Sequence, residues 1–248
     1  MANSKELIPA IAHIRRSACA ILRVRAKRNV SSTDPALVPR FEMGFVGSGV
    51  CIVEKKYVLT AQHIFNGGQA RDVNDKFVVF TLTENNLQAF HCAVIGFPIE
   101  HATHDLAVME LGKPVDARFV LEPLPISMDT FVEGSEVVTY GFPSPVVTGA
   151  NLDAEGNFLG GGNFFLKGHA NTGIVSACYD LQGAIHYAFN VDWVHGESGG
   201  IVCDLATLHL FTIMQSYRTI GTPNGVMAGP RLGRGFQSIA KELRALST

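Results

Sequence analysis

Residues 193–202 read WVHGESGGIV and set Ser198 between Gly196-Glu197 on one side and Gly199-Gly200 on the other. Glycines flanking a serine allow a sharp backbone turn, and they let main-chain N–H groups come close to whatever the hydroxyl attacks. The same pattern also joins strands where no chemistry occurs, so Ser198 needs partners. A serine hydroxyl is a poor nucleophile until a base takes its proton. The usual base is an imidazole held in one tautomer by a carboxylate.

Two residues upstream meet that requirement. His63 lies near the end of YVLTAQHIF (57–65), where an apolar strand breaks into a small-residue turn just before the imidazole. Asp105 opens the apolar run in HDLAVMEL (104–111), a carboxylate at the mouth of a strand where it can be buried. Taken singly, His63 also fits a surface turn, and Asp105 a strand start that satisfies nearby N–H groups. His101 and His104 beside Cys92 lack metal-ligand spacing, so neither a metal nor a cofactor is expected.

The chain around these residues reads as a series of short strands. Ala18 to Arg25, Phe45 to Val53 with Tyr57 to Thr60 as a hairpin, Phe77 to Leu82, Ala89 to Phe97 and Leu106 to Leu111 are each bounded by turn-forming residues. Beyond a proline-punctuated connection from Pro114 to Pro125, strands are predicted at Glu136 to Tyr140, Phe164 to Gly168, Gly173 to Tyr179, Ala184 to Val191, Ile201 to Cys203 and Leu208 to Gln215. Asn29 to Arg40 reads as loop, and the glycine-rich interval from Gly149 to Asn163 as a mobile loop. Ser4 to Ile14 reads as a short helical lead. At the other end Phe236, Ile239, Ala240 and Leu243 share one helical face. The pattern is all-β, either two packed barrels or a large sandwich, with one closing helix.

Composition narrows the partners. Lys plus Arg number 20 and Asp plus Glu 22, a net charge of -2, which gives no electrostatic basis for nucleic acid or an anionic membrane as main ligand. The basic cluster Arg23, Arg25, Lys27, Arg28 reads as a solvated strand end. The opening residues hold no unbroken apolar core of a secretory signal, and no stretch approaches a membrane span. A cytoplasmic location is therefore expected. Five cysteines at irregular spacing, Cys19, Cys51, Cys92, Cys178 and Cys203, read as reduced and mostly buried thiols.

Three blocks in one order then carry a resemblance. VLTAQHIF resembles the "TAAH" histidine block, HDLAVMEL the "DIALL"-type aspartate block and HGESGG the "GDSGG" or "GNSGG" serine block of trypsin-like (chymotrypsin-fold) serine peptidases. VVTYGFPS and TGIVSACYD are similar to strands of the bacterial high-temperature-requirement branch, and the likeness covers roughly residues 18–245. It implies an all-β fold of two six-stranded antiparallel barrels with a C-terminal helix. The lead would be 1–17, the first barrel 18–115 with His63 and Asp105, and the second barrel 126–248 with Ser198. It also implies a serine endopeptidase acting on a peptide or protein substrate. Ser198 would be the nucleophile, His63 the base and Asp105 its orienting group, with the N–H groups of Gly196 and Ser198 forming the oxyanion hole.

Departures from the family pattern are equally legible. No Arg-Ile-Val-Gly-Gly-like start exists, and Glu197 stands where activation by an inserted N-terminus needs an aspartate, so its longer side chain must find another partner or solvent. Ile64 follows His63 in place of the cysteine of secreted enzymes. Asp192, six residues before Ser198, sits where trypsin carries the carboxylate that binds a basic substrate side chain, although Asn190 or Val191 can also occupy that wall. Either Gln215 or Ser216 lies beside the substrate backbone. Two competing readings are a catalytically inactive protease-fold scaffold that binds peptides or proteins, and an α/β-hydrolase esterase. The esterase requires a helix behind the serine and its acid and histidine after it in the chain.

Overall fold

The computed structural model describes residues 4–27, 41–83, 88–181, 183–222 and 225–246, so Arg28 and the predicted loop 29–40 lie outside the described residues. Helix α1 (Ser4–Arg15) leads into β1 (Ala18–Ala26). Then come β2 (Phe41–Val53), β3 (Tyr57–Thr60), the single turn α2 (His63–Asn66), β4 (Lys76–Leu82), β5 (Ala89–His101) and β6 (Leu106–Leu111). These six strands close into an antiparallel barrel in the order β1-β2-β3-β6-β5-β4. Their β-branched and aromatic residues fill it: all of β3 is buried, as are Phe77, Val78, Val79 and Phe80 of β4.

The chain then runs from Gly112 to Ser135 without a strand, yet it is well anchored. Phe119, Leu121 and Leu124 are buried in the same core, and the Leu124 N–H donates to Cys51 O at 3.0 Å. The second half holds β7 (Glu136–Gly141), β8 (Val146–Thr148), β9 (Asn151–Leu152), β10 (Phe158–Gly160), β11 (Asn163–Phe165) and β12 (His169–Leu181). It continues with β13 (Ala184–Phe189), β14 (Ile201–Asp204), β15 (Leu210–Ile213), β16 (Ser216–Thr222) and β17 (Gly225–Arg234). The main sheet runs β15-β14-β7-β12-β13-β17-β16, all antiparallel. Its two end strands are separated in sequence only by Met214 and Gln215, so β15 and β16 act as one bent strand and the sheet curls into a six-stranded half-barrel. A 3-10 turn (Gln237–Ile239) and α3 (Ala240–Ala245) close the chain, burying Phe236, Ile239 and Leu243 on the face the periodicity predicts.

Some expectations change. The interval from Gly149 to Asn163 is not plain loop: β8 pairs with β11 and β9 with β10 as two small ribbons. They rest on the first barrel through a cluster in which the Phe158 and Phe164 rings lie 5.4 and 5.0 Å from that of Phe80. The predicted strand Phe164 to Gly168 stops at Phe165, and β12 begins four residues before the predicted Gly173. Strands β16 and β17 are absent from the sequence reading because glycines and prolines interrupt their apolar pattern. The α/β-hydrolase reading fails, because an antiparallel strand, β14, follows Ser198 where that fold needs a helix.

Candidate active site

His63 is presented on α2, a turn closed by Gly67, whose N–H bonds His63 O at 2.7 Å. Asp105 precedes β6 and holds a left-handed backbone with φ 49°, an unusual conformation for a residue with a Cβ. That conformation aims its carboxylate at His63 twice. Oδ1 accepts the His63 backbone N–H at 2.8 Å, and Oδ2 lies 2.8 Å from Nδ1 of the ring. The paired contacts fix both the ring's position and its tautomer, leaving Nε2 as the ring's other nitrogen.

Ser198 sits in the turn before β14, and three links tie that turn to its surroundings. Ser48 of β2 donates its N–H to Ser198 O at 2.8 Å and its hydroxyl to Gly196 O at 2.9 Å. Gly199 donates to Met214 O at 2.6 Å. Gly196 and Gly199 have φ of 97° and 84°, and a Cβ on Gly199 would overlap Ser48 O and Thr60 Oγ1. The glycines that flag the motif are thus required by backbone conformation and by close approach.

The hydrogen bonding of this turn leaves two donors over. Among the described residues the N–H groups of Glu197, Gly199 and Gly200 bond Val194 O, Met214 O and Glu197 O, whereas those of Gly196 and Ser198 donate to none. His195 O accepts the Ser144 N–H at 2.9 Å. Because C=O and the following N–H point in opposite directions across a trans peptide, that bond turns the Gly196 N–H away from Ser144.

His63, Asp105, Gly196 and Ser198 line one cavity of about 600 Å³ between the barrels. Its other walls come from Phe45, Val46, Ile64, Trp193, Val194 and Met214, so its lining is largely apolar. Asp192 is exposed and does not line it, and its carbonyl accepts from the Asn171 side chain at 2.8 Å. Nor do the two alternatives: Asn190 spends its Oδ1 on the Ile174 N–H at 2.7 Å, and Val191 is buried in the second core. Ser216 does line the cavity. Gln215 lines it too, while its side-chain amide is committed to the protein: Nε2 donates to His104 O and Asp105 O at 2.7 and 2.8 Å, and Oε1 accepts the Arg234 N–H at 2.7 Å.

Glu197 finds partners inside the protein. It is 1 % exposed; Oε2 accepts the Val194 N–H at 2.7 Å and Oε1 lies 3.1 Å from Nδ1 of His169. Burial pushes its carboxyl above the usual carboxylate range, opposed by the Val194 N–H, by His169 and by the positive charge of Arg231. Sequence reasoning passed over His169 because 28 residues separate it from Glu197, and no local spacing announces a contact made across the sheet. No group of three or more His, Cys, Asp or Glu able to hold a metal occurs among the described residues.

The family model for the trypsin-like peptidase domain matches residues 47–211, more than half of the chain and including all three blocks. The chain belongs to that family. Its strands build the chymotrypsin-like arrangement of two barrels. The fold of this chain is similar to that of an HtrA-type protease, AlgW, solved with a decapeptide: TM-score 0.60 at 16% identity, covering 95% of this chain and 66% of that one. A serine-to-alanine form of AlgW with decapeptide gives TM-score 0.58 at 17% identity, covering 95% and 64%. The chain thus spans just under two thirds of either structure's length. No curated protein matches it in sequence. None of its described helices is long and apolar enough to cross a membrane.

Proposed function

We propose that the chain is a serine endopeptidase working through a His63-Asp105-Ser198 triad and an acyl-enzyme. The observation that carries the reading is the two-point hold of Asp105 on His63, at 2.8 Å to the ring and 2.8 Å to the backbone, in the cavity that Ser198 also lines. His63 takes the Ser198 proton as Oγ bonds the scissile carbonyl carbon, then delivers it to the departing amine as the C–N bond breaks. Water, deprotonated by the same ring, releases the acid and restores the hydroxyl. The uncommitted N–H groups of Gly196 and Ser198 are the donors for the oxyanion. The apolar wall of Trp193, Val194 and Met214 favours an apolar substrate side chain before the cut over the basic one that Asp192 implied. The five free cysteines fit a reducing compartment such as the cytoplasm.

A fluorophosphonate probe should label the wild type and leave Ser198→Ala unlabelled, and a peptide library read by mass spectrometry should show cuts after apolar residues in the wild type alone. Equal labelling of both proteins would remove Ser198 from the mechanism. Peptide binding without labelling or cleavage would assign the fold to a non-catalytic scaffold.

A further inference from the structure

We infer that His169 is a positioning residue for the oxyanion-binding turn, acting through Glu197; this rests on the serine peptidase reading above. In this chain the residue before the serine is a glutamate buried to 1 % exposure, and a buried carboxylate needs hydrogen-bonding partners. One partner, the Val194 N–H at 2.7 Å, belongs to the turn itself. The other, His169 Nδ1 at 3.1 Å, belongs to a sheet: His169 opens β12 and pairs with Gly141 of β7. The carboxylate therefore clamps the 194–198 turn to the rigid wall of the second barrel. Arg231 adds a favourable positive field from β17.

Little else fixes the side chain. Gly141 leaves room for it, since a Cβ there would come within 3.1 Å of Glu197 Cβ and 3.2 Å of Cγ. Without the imidazole, whose side chain is itself 47 % exposed, Oε1 loses its protein donor and faces the opened surface, and the carboxylate is driven to take up a proton or to swing outward toward water. Swinging carries the Glu197 backbone with it; the peptide that leaves Glu197 aims the Ser198 N–H, and the residue before it carries the Gly196 N–H. The His195–Ser144 bond and the two bonds from Ser48 then hold that stretch without the clamp.

The experiment compares wild type, His169→Ala, His169→Asn and Ser198→Ala. Asparagine places an N–H donor close to where Nδ1 stood. In His169→Ala, kcat on a peptide substrate should fall on the order of tenfold to a hundredfold with KM little changed, because removing one oxyanion donor costs roughly 10²–10³ and here the donor is loosened rather than deleted. His169→Asn should recover most of that loss. Trp193, the single tryptophan of the chain, adjoins the turn and reports its order whether or not the protein is active. Acrylamide quenching of Trp193 should rise in His169→Ala and stay near wild type in His169→Asn. Unchanged kcat and unchanged quenching in His169→Ala would overturn the inference, as would a loss that asparagine does not recover. A wild type that the fluorophosphonate probe labels no better than Ser198→Ala would refute the serine assignment instead, and the quenching comparison would still decide whether His169 holds the turn.

Discussion

Gln215 offers a quantitative test of how the two barrels hold the site together. Its buried side chain leaves the second barrel to donate to His104 O and Asp105 O on the first, while accepting the Arg234 N–H within its own. Replacing it by leucine keeps the bulk and removes three hydrogen bonds, each contributing about 1 kcal/mol, so about 3 kcal/mol of stability should be lost. For a chain of this size that is a fall in Tm of about 6–12 °C. The loss should also reach the chemistry. Asp105 holds its strained φ of 49° between carbonyls that Gln215 fixes, and a left-handed residue relaxes when its restraints go. A displacement near 1 Å costs up to about a hundredfold in rate, so fluorophosphonate labelling should slow markedly. Urea denaturation and labelling kinetics on Gln215→Leu measure both effects. A midpoint within error of wild type would refute the hydrogen-bond argument, and lower stability with an unchanged labelling rate would refute the claim that Gln215 positions Asp105.

Other outcomes follow from the same geometry. Gly199→Ala puts a Cβ into Ser48 O at φ 84°, adding ~1–2 kcal/mol of backbone strain to ~1–3 kcal/mol of overlap, so loss of both labelling and thermal stability is expected by calorimetry and probe assay. Burial raises the Cys51 thiol from 9.0 to about 12 and the Cys92 thiol to about 11, and also raises Cys19 and Cys203. Native protein treated with iodoacetamide near about pH 8 should therefore react first at partly exposed Cys178, and at the others only after unfolding, as peptide mapping would reveal. The sign for stability follows: with folded values above the unfolded one, the thiols favour the native state below 9.0, and their contribution falls as pH rises from there toward 11 to 12. Urea midpoints measured across that range should decline, and less so in a Cys51→Ala, Cys92→Ala double variant.

The amino-acid sequence by itself determined that the chain is all-β, where most strands of both halves run, and which three blocks carry the likeness to the family. These features are local. Alternating and β-branched runs specify strands whatever they pack against, and the glycines at 196 and 199 announce a backbone that only a tight turn requires. Only the tertiary structure decided which side chains meet. Asp192 stands at the spacing of a specificity residue but lies outside the cavity, because β12 captures its carbonyl through Asn171. Gln215 and Ser216, the two residues expected beside the substrate backbone, both line the cavity, and Gln215 also binds the backbone that carries Asp105. Strands β16 and β17 gain their order from neighbours in the sheet, not from their own interrupted pattern. Glu197 and His169, 28 residues apart, become partners because β7 pairs with β12 and brings His169 over Gly141, where Glu197 also packs. Such contacts depend on register across strands, which is set by the whole core, so no stretch of the chain encodes them alone.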